Sequence, residues 1–347
     1  MSLTSHLDDP QSPIRRFLYQ QFPNTAAIRK RYARRLSYVE TIRPAGPMPY
    51  PYGLVGMALD YRLRYYLAVT EPDQLVAWQG AHLFGAILDP HLRFRLKRLY
   101  GVLDEERRFR LSPDLARAFF IGRRTRRKRQ VDDDEPPAGL ELLLPHLQPV
   151  GRRLDRVSEE LLNRYGIVLA LFEQLFRAGT SVAGRSPLFV PTPKTTLASL
   201  LAIAHESWID DLCALSWAFY DHCGDLLNCR EFVLNPTFDG SGDIGGADAD
   251  LILDGCLIDI KATIKPRVDS EWLYQLLGYT LLDYGDSHHI TAVGIYLARQ
   301  HVLLRWPLHE LLAVMSNGQA PSLVELRSRF EPLVRQDLQG PEQGISK

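Results

Sequence analysis

Residues 245–265 read Gly-Gly-Ala-Asp-Ala-Asp-Leu-Ile-Leu-Asp-Gly-Cys-Leu-Ile-Asp-Ile-Lys-Ala-Thr-Ile-Lys and predict a β-hairpin. Two short apolar runs flank Asp254-Gly255, a favoured pair for the centre of a two-residue hairpin turn. If these two residues form the turn, Asp250 faces Asp259 across the hairpin, and Asp248 faces Lys261. The stretch therefore predicts both the strands and their register.

This register concentrates charge on one face of the predicted hairpin. Side chains alternate between the faces of a strand, so Asp248, Asp250, Asp259 and Lys261 project to one side. Facing carboxylates repel each other unless a cation or a lysine compensates their charge. Mg²⁺ fits best, because it takes oxygen ligands and commonly uses one or two carboxylates. A lysine beside the metal would suit phosphodiester hydrolysis, since it can orient or deprotonate water and offset the charge of the transition state. The apolar side chains project to the other side: Leu251, Leu253, Ile258 and Ile260.

The segments around the hairpin predict a sheet flanked by helices. Upstream, residues 196–222 carry apolar side chains at spacings of three and four, which is typical of a helix. The remaining segments alternate between strand and helix patterns, so the expected fold class is α/β, a mixed α+β arrangement with a central mixed sheet. The expected strands are 229–234, two within 248–264, 290–297 and 301–306, and a helix is expected at 272–284.

The first half of the chain predicts helices and few strands. We expect residues 1–190 to form a mostly helical accessory region, 191–310 the sheet-containing core, and 311–347 a C-terminal helix and tail. A basic run at 123–129 is followed closely by an acidic run at 132–135, which favours a solvated loop whose charges partly cancel. The helical candidates are residues 52–68, 73–88, 114–120 and 154–178.

Composition narrows the class of protein. The 347 residues include 41 Lys+Arg and 41 Asp+Glu with 46% hydrophobic residues, which excludes a disordered or rod-like chain and neither demands nor forbids nucleic acid. No stretch resembles a secretory signal or a membrane span, so we expect a cytoplasmic protein without a membrane partner. The cysteines lack the spacing of a zinc or iron-sulfur site and are expected to be buried thiols. They are Cys213, Cys223, Cys229 and Cys256.

Two motifs resemble a known family. Asp250, followed on the next strand by Asp259-Ile260-Lys261, resembles the signature of the PD-(D/E)XK nuclease superfamily, although Ala249 replaces the proline of that signature. The segment from Gln275 to Tyr279 resembles the Q-x-x-x-Y motif of its RecB-like branch. These two side chains lie one helical turn apart on one face. Leucines and a tyrosine occupy the opposite, core-facing side: Leu273, Leu276, Leu277, Leu281 and Tyr284.

The resemblance covers about residues 196–306 and implies a restriction-endonuclease-like core with a metal-dependent nuclease site. Asp250 and Asp259 would bind Mg²⁺ or Mn²⁺ with help from the Ile260 carbonyl, and Lys261 would position the attacking water or stabilise the transition state. Gln275 and Tyr279 would bind the substrate backbone. We prefer Asp250 to Asp248 as the main ligand because it directly enters the apolar strand and faces Asp259.

A further acidic ligand from an early helix is left open by the sequence. Glu206 and Asp60 are both candidates, and the segment 56–62 resembles the helix that opens some nuclease cores of this kind. If that likeness is real, residues 70–190 are an insertion.

The resemblance implies a setting in restriction, repair or defence against mobile elements, with DNA as the expected partner. The chain lacks a P-loop motif, so ATP-driven strand separation would need an ATPase or other protein partner. One alternative is a catalytically inactive nuclease-fold protein that binds nucleic acid or a protein. Another is a phosphodiesterase that acts on RNA through the same metal chemistry.

Overall fold

The computed structural model describes residues 2–46, 49–67, 76–77, 80, 153–178, 186–189, 197–319 and 321–339. The chain forms two compact units. Residues 1–42 and 222–347 form the first, called here the sheet unit, and residues 43–221 form the second, called the helical unit. The units thus divide the chain at residues 42 and 221, whereas the sequence placed boundaries at 190 and 310.

The described helices and strands follow one another in this order: α1 Leu3–Asp8, α2 Pro13–Gln21, α3 Thr25–Leu36, α4 Tyr52–Leu67, α5 Arg156–Ala178, α6 Leu197–Leu201, α7 Glu206–Cys223, β1 Phe232–Leu234, β2 Leu251–Leu253, β3 Cys256–Lys261, α8 Ser270–Leu282, β4 Ala292–Leu297, β5 Val302–Pro307, α9 Leu308–Met315 and α10 Leu323–Gln339.

The five strands form one mixed sheet in the order β1-β2-β3-β4-β5. The pairs β1–β2, β2–β3 and β4–β5 are antiparallel, whereas β3 and β4 are parallel. A parallel pair needs a crossover connection, and α8 provides it. The mixed α/β class expected from the sequence is confirmed.

The tight turn of the predicted hairpin is present. Leu251 pairs with Ile258 and Leu253 with Cys256, which is the expected register. Asp254 and Gly255 have φ values of 46° and 72°, and positive φ at both central residues defines a type I′ turn. The Asp254 carboxylate also accepts hydrogen bonds from the backbone N–H groups of Arg230 and Glu231, which lie just before β1. Local turn chemistry therefore fixes the register.

The hairpin ladder is shorter than the sequence suggests, and this corrects the expected pairing of Asp248. Strand β2 begins at Leu251, and Asp248 forms an isolated bridge with Thr237 instead of pairing with Lys261. The cause is a side chain: the backbone N–H of Ile260 donates to Asp250 Oδ2 at 2.5 Å rather than to a backbone carbonyl of the hairpin.

The core of the sheet unit lies between one face of the sheet and helices from both ends of the chain. Ile252 and Leu257 project from the hairpin into this core, and the predicted core face of α8 is buried there, including Leu273, Leu276, Leu277 and Leu281. Side chains of α1, α2 and α3 belong to the same cluster, among them Leu3, Ile14, Phe17, Leu18 and Ile28. The first 42 residues therefore help to build the sheet unit.

The helical unit contains α4 packed against α5. Gly166 of α5 lies so close to α4 that an added Cβ would stand 2.9 Å from the Ala58 carbonyl oxygen. Buried Arg62 forms a two-pronged ion pair with Glu159, with distances of 2.7 and 2.8 Å. The expected helices 73–88 and 114–120 and the charged runs at 123–135 lie largely or wholly outside the described residues.

The single helix expected over residues 196–222 is wrong, because the structure breaks it into α6 and α7. His205 precedes α7, and its Nδ1 accepts the backbone N–H of Ser207, as an N-capping side chain does. Arg164 donates to the carbonyl oxygens of Leu201 and Ala204, which are left unpaired by the break. Across the described residues, no helix is long and apolar enough to cross a membrane.

Candidate functional site

The end of β3 holds a buried carboxylate beside a lysine. Asp259 is only 4% exposed, and Lys261 Nζ lies 2.8 Å from its Oδ2 atom. The two groups form an ion pair without hydrogen-bond alignment, and among the described residues Asp259 Oδ2 has no hydrogen-bond partner. A buried carboxylate is costly unless a positive charge compensates it, and the Lys261 ammonium does so here. Asp259 therefore presents an oxygen suited to a cation.

The amide of Gln275 connects Lys261 to α8. Lys261 Nζ donates to Gln275 Oε1 at 2.9 Å, and Gln275 Nε2 donates to the Tyr279 hydroxyl oxygen at 2.9 Å. The structure thus brings Gln275 and Tyr279 together with the β3 lysine on one face of α8. The expectation that this face lies opposite the core is wrong for Tyr279, whose ring packs in the core of the sheet unit. The result is a continuous polar chain: Asp259, Lys261, Gln275 and Tyr279.

Tyr279 lies at the inner end of this chain and is 5% exposed. Burial raises its pKa well above the ordinary value, and the charges of Asp259 and Asp250 raise it further, so the phenol stays neutral. The ring of Phe238 stacks on it with centroids 5.6 Å apart. This burial favours a role in which Tyr279 supports Gln275.

Asp250 immediately precedes Leu251, the first residue of β2, and β2 is the strand next to the one that carries Asp259. It is half-buried, and its Oδ2 atom accepts the Ile260 N–H. This bond anchors the carboxylate to the backbone of β3, the strand that carries Asp259 and Lys261. The Asp250 and Asp259 carboxylates and the Ile260 carbonyl therefore come from adjoining positions of one hairpin.

Trp272 forms the outer side of the lysine environment. It lies in the first turn of α8, and Lys261 Nζ stands 5.8 Å from its ring centroid. A cation at this distance from an aromatic face is attracted to it. Lys261 is consequently held by a carboxylate, an amide and a ring, while its side chain keeps 20% exposure.

The early acidic candidates lie in the helical unit, where each is paired with an arginine. Asp60 forms an i,i+4 ion pair with Arg64, and Glu206 pairs with Arg164 at 2.6 Å. The structure places Asp248 in the sheet unit, just before Asp250 along the chain, in the bridge to Thr237.

The residues of the hairpin fit a magnesium ion in chemistry, since two carboxylates and a carbonyl are hard oxygen donors. In the described part of the chain, no group of three or more His, Cys, Asp and Glu side chains is arranged to hold a metal. A metal at the hairpin would therefore depend on two carboxylates, a carbonyl and water. Burial raises the pKa of Cys213 and Cys223 to about 12, so these thiols stay protonated and are poor ligands. Cys229 is half-buried, which corrects the expectation that all four thiols are buried.

Sequence reasoning missed the loop that covers Tyr279. Ser241 Oγ accepts the Phe238 N–H at 2.7 Å and donates to the Ala247 carbonyl, which closes the loop and holds the Phe238 ring against Tyr279. Gly240 lets the loop backbone pack closely against Tyr284, since an added Cβ would stand 2.5 Å from the Tyr284 hydroxyl. The glycine-rich run at 240–246 was the available signal, because closely spaced glycines mark close backbone packing.

Comparison with known proteins gives no match: no family model, curated protein or solved structure matches this chain.

Proposed function

We propose that this protein is a metal-dependent nuclease that hydrolyses phosphodiester bonds in DNA, with a core like that of the PD-(D/E)XK superfamily. The observation that carries the proposal is the end of β3. There a buried carboxylate forms an ion pair at 2.8 Å with a lysine that Gln275 holds in place.

The topology supports this proposal. Three antiparallel strands are followed by a crossover helix and by a strand parallel to the third. The Asp-Ile-Lys triplet ends β3, immediately before the chain leaves for α8, and the Gln and Tyr of the second motif lie on α8. Ligand sites of open sheets commonly lie at the carboxyl ends of strands. Two motifs whose nearest members, Lys261 and Gln275, are 14 residues apart in sequence thus meet at one such end.

Asp250, Asp259 and the Ile260 carbonyl would hold Mg²⁺ or Mn²⁺. When bound, such an ion polarises a phosphate and lowers the pKa of a coordinated water. Lys261 would orient the attacking water or offset the negative charge that develops on the phosphate. Its contacts with Asp259 and Gln275 restrict the ammonium before substrate arrives, so less ordering is needed during the reaction.

Gln275 and Tyr279 have two proposed tasks. The partly exposed Gln275 can contact the substrate backbone, as the resemblance implies, while its amide positions Lys261. Tyr279, being buried, acts through Gln275. Restriction, repair and defence against mobile elements are the settings in which such an enzyme would work.

Cleavage assays on linear, circular and single-stranded DNA test the proposal, each with Mg²⁺, Mn²⁺ or EDTA. The variant is Lys261→Ala, and the matched control is Lys265→Ala, which removes an exposed lysine four residues further along the chain. We expect metal-dependent cleavage by the wild type and by the control, and a loss of cleavage in Lys261→Ala.

Cleavage that survives Lys261→Ala would sink the proposed mechanism. If the wild type binds DNA but cuts no substrate with either metal, the binding-only alternative gains support. Parallel reactions with RNA of the same sequence separate a ribonuclease from a deoxyribonuclease.

A further inference from the structure

Helix α3 carries an unusual concentration of positive charge. Five of its twelve residues are basic and none is acidic, and all five basic side chains are exposed. By contrast, α10 mixes both signs, and its exposed Arg335 pairs with Glu331 and Asp243. The basic face of α3 is defined here as Arg29, Lys30, Arg31, Arg34 and Arg35.

The helix separates this charge from its apolar side. At 3.6 residues per turn, Thr25, Ile28 and Leu36 fall on one side, and these three residues are buried. Lys30 and Arg34 project from the opposite side, Arg31 lies between them and one flank, and Arg29 and Arg35 border the apolar side. The apolar side is already packed in the core of the sheet unit, so α3 offers solvent a cationic surface without an apolar one.

The charge of the basic face is not neutralised by its neighbours. Within the described residues, no ion pair joins its five side chains to a carboxylate, although exposed Glu271 and Glu310 lie on the helices α8 and α9 that pack against α3. Arg31 instead lies over the ring of Tyr32 at 5.9 Å. Five unpaired cations on one short helix repel each other, and an anionic partner would relieve that repulsion.

The basic face adjoins the candidate site through the start of α8. Arg29 donates to Ser270 Oγ at 3.4 Å, and Thr25 Oγ1 is 3.0 Å from the same oxygen. Ser270 begins the helix that carries Trp272 and Gln275. The cationic surface and the polar chain around Lys261 therefore meet on one helix.

We propose that the basic face of α3 binds the sugar-phosphate backbone of duplex DNA and directs it to the β2–β3 hairpin. This inference rests on the proposed function and names the surface that holds the substrate. The basic face spans about 9 Å of helix axis at 1.5 Å per residue. Duplex DNA carries about five phosphate charges over that length, which is enough to pair with each cation that faces it. An anionic membrane fits less well, because surface-bound helices insert an apolar face and that of α3 is buried.

The experiment compares DNA binding by two charge-matched triple variants. The first, Lys30→Gln with Arg31→Gln and Arg34→Gln, removes three cations from the middle of the basic face while glutamine preserves helix propensity. The control, Arg230→Gln with Arg329→Gln and Arg335→Gln, removes three exposed arginines elsewhere in the sheet unit. Both are made in the Lys261→Ala background, with a fluorescent DNA duplex in EDTA, so that the probe stays intact.

We expect the α3 variant to bind the duplex at least about ten-fold more weakly than the control. We also expect its plot of log affinity against log salt concentration to be less steep than that of the control, by about 2.7 in slope. Equal affinity and equal slope in the two variants would overturn the proposal. So would α3-dependent binding to phosphatidylserine vesicles with α3-independent binding to DNA. Nuclease activity is scored separately with Lys261 intact: α3-dependent binding without cleavage would sink only the proposed function, and cleavage with α3-independent binding only this inference.

Discussion

Replacing Gln275 with methionine tests whether the amide holds Lys261 in its working position. Among the described residues, Lys261 Nζ has two polar partners, Asp259 and Gln275, and only the Gln275 oxygen, at 2.9 Å, is aligned as a hydrogen-bond acceptor. A hydrogen bond to a charged group contributes about 1.5–3 kcal/mol net. If that interaction acts in the transition state, its loss lowers kcat by a factor of about 13 to 160.

The assay is single-turnover cleavage of a labelled DNA duplex with Mg²⁺, with KM measured in parallel. Tyr279→Phe provides a graded control, because it leaves the bond between Lys261 and Gln275 and removes only the hydroxyl group that accepts from Gln275. A neutral hydrogen bond of about 0.5–1.5 kcal/mol predicts a loss of about 2- to 13-fold for this variant. Gln275→Glu, which keeps an acceptor for the ammonium, should retain more activity than Gln275→Met. A Gln275→Met enzyme that cuts at the wild-type rate would refute the reasoning.

Three further predictions concern metal binding, packing and pH. Free Mg²⁺ at about 100 times its Kd should stabilise the wild type by about 2.7 kcal/mol in thermal unfolding, and Asp259→Asn should abolish this gain; equal stabilisation of both would exclude Asp259 as a ligand. Gly240→Ala should cost about 1–3 kcal/mol of unfolding free energy, because its Cβ would meet Tyr284, whereas Gly242→Ala, with no atom within 4 Å of the added Cβ, should be nearly neutral in denaturant titrations. Burial lowers the pKa of His301, and the charge of the stacked His222 lowers it further. The neutral imidazole therefore favours the folded state above about pH 6.5, and this stability is lost as the pH falls through the folded pKa. His301→Asn, which suits the φ of 43°, should therefore flatten the pH dependence of the unfolding free energy below about pH 6.5, and an unchanged slope would contradict this.

The hairpin was predictable because its determinants are local. Asp254 and Gly255 fix the turn, the turn fixes the register, and the alternation of side chains places Asp250 and Asp259 on one face. The limit of the ladder was not predictable, because it depends on a carboxylate of one strand capturing the Ile260 N–H of the next. A pattern of residue types does not show which acceptor a backbone donor selects.

Contacts between distant segments were the other gap. Helical spacing predicted that Gln275 and Tyr279 share one side of their helix. Their link to Lys261 could not be predicted, because it depends on how the crossover helix lies on the sheet. The packing of α1–α3 in the sheet unit was missed for the same reason, since an amphipathic helix shows that it has a buried side and does not show against what. His205 illustrates the reverse case, in which one capping side chain interrupted an apolar periodicity that looked continuous.

The backbone at Lys261 is held by strand pairing up to this residue and by side-chain hydrogen bonds after it, which keeps a site at the end of a strand ordered. Lys261 is the last residue of β3 paired with β4, so the carbonyls that follow it have no strand partner. Arg299, which is fully buried, donates to the Ala262 carbonyl at 2.9 Å, and Gln300 donates to the Thr263 carbonyl at 3.2 Å. Burying a guanidinium is costly unless hydrogen bonds compensate it. Here those bonds attach the backbone that follows β3 to the residues that follow β4. With the backbone held in this way, the remaining freedom of Lys261 lies in its side-chain torsions, and those are what Gln275 and Asp259 restrict.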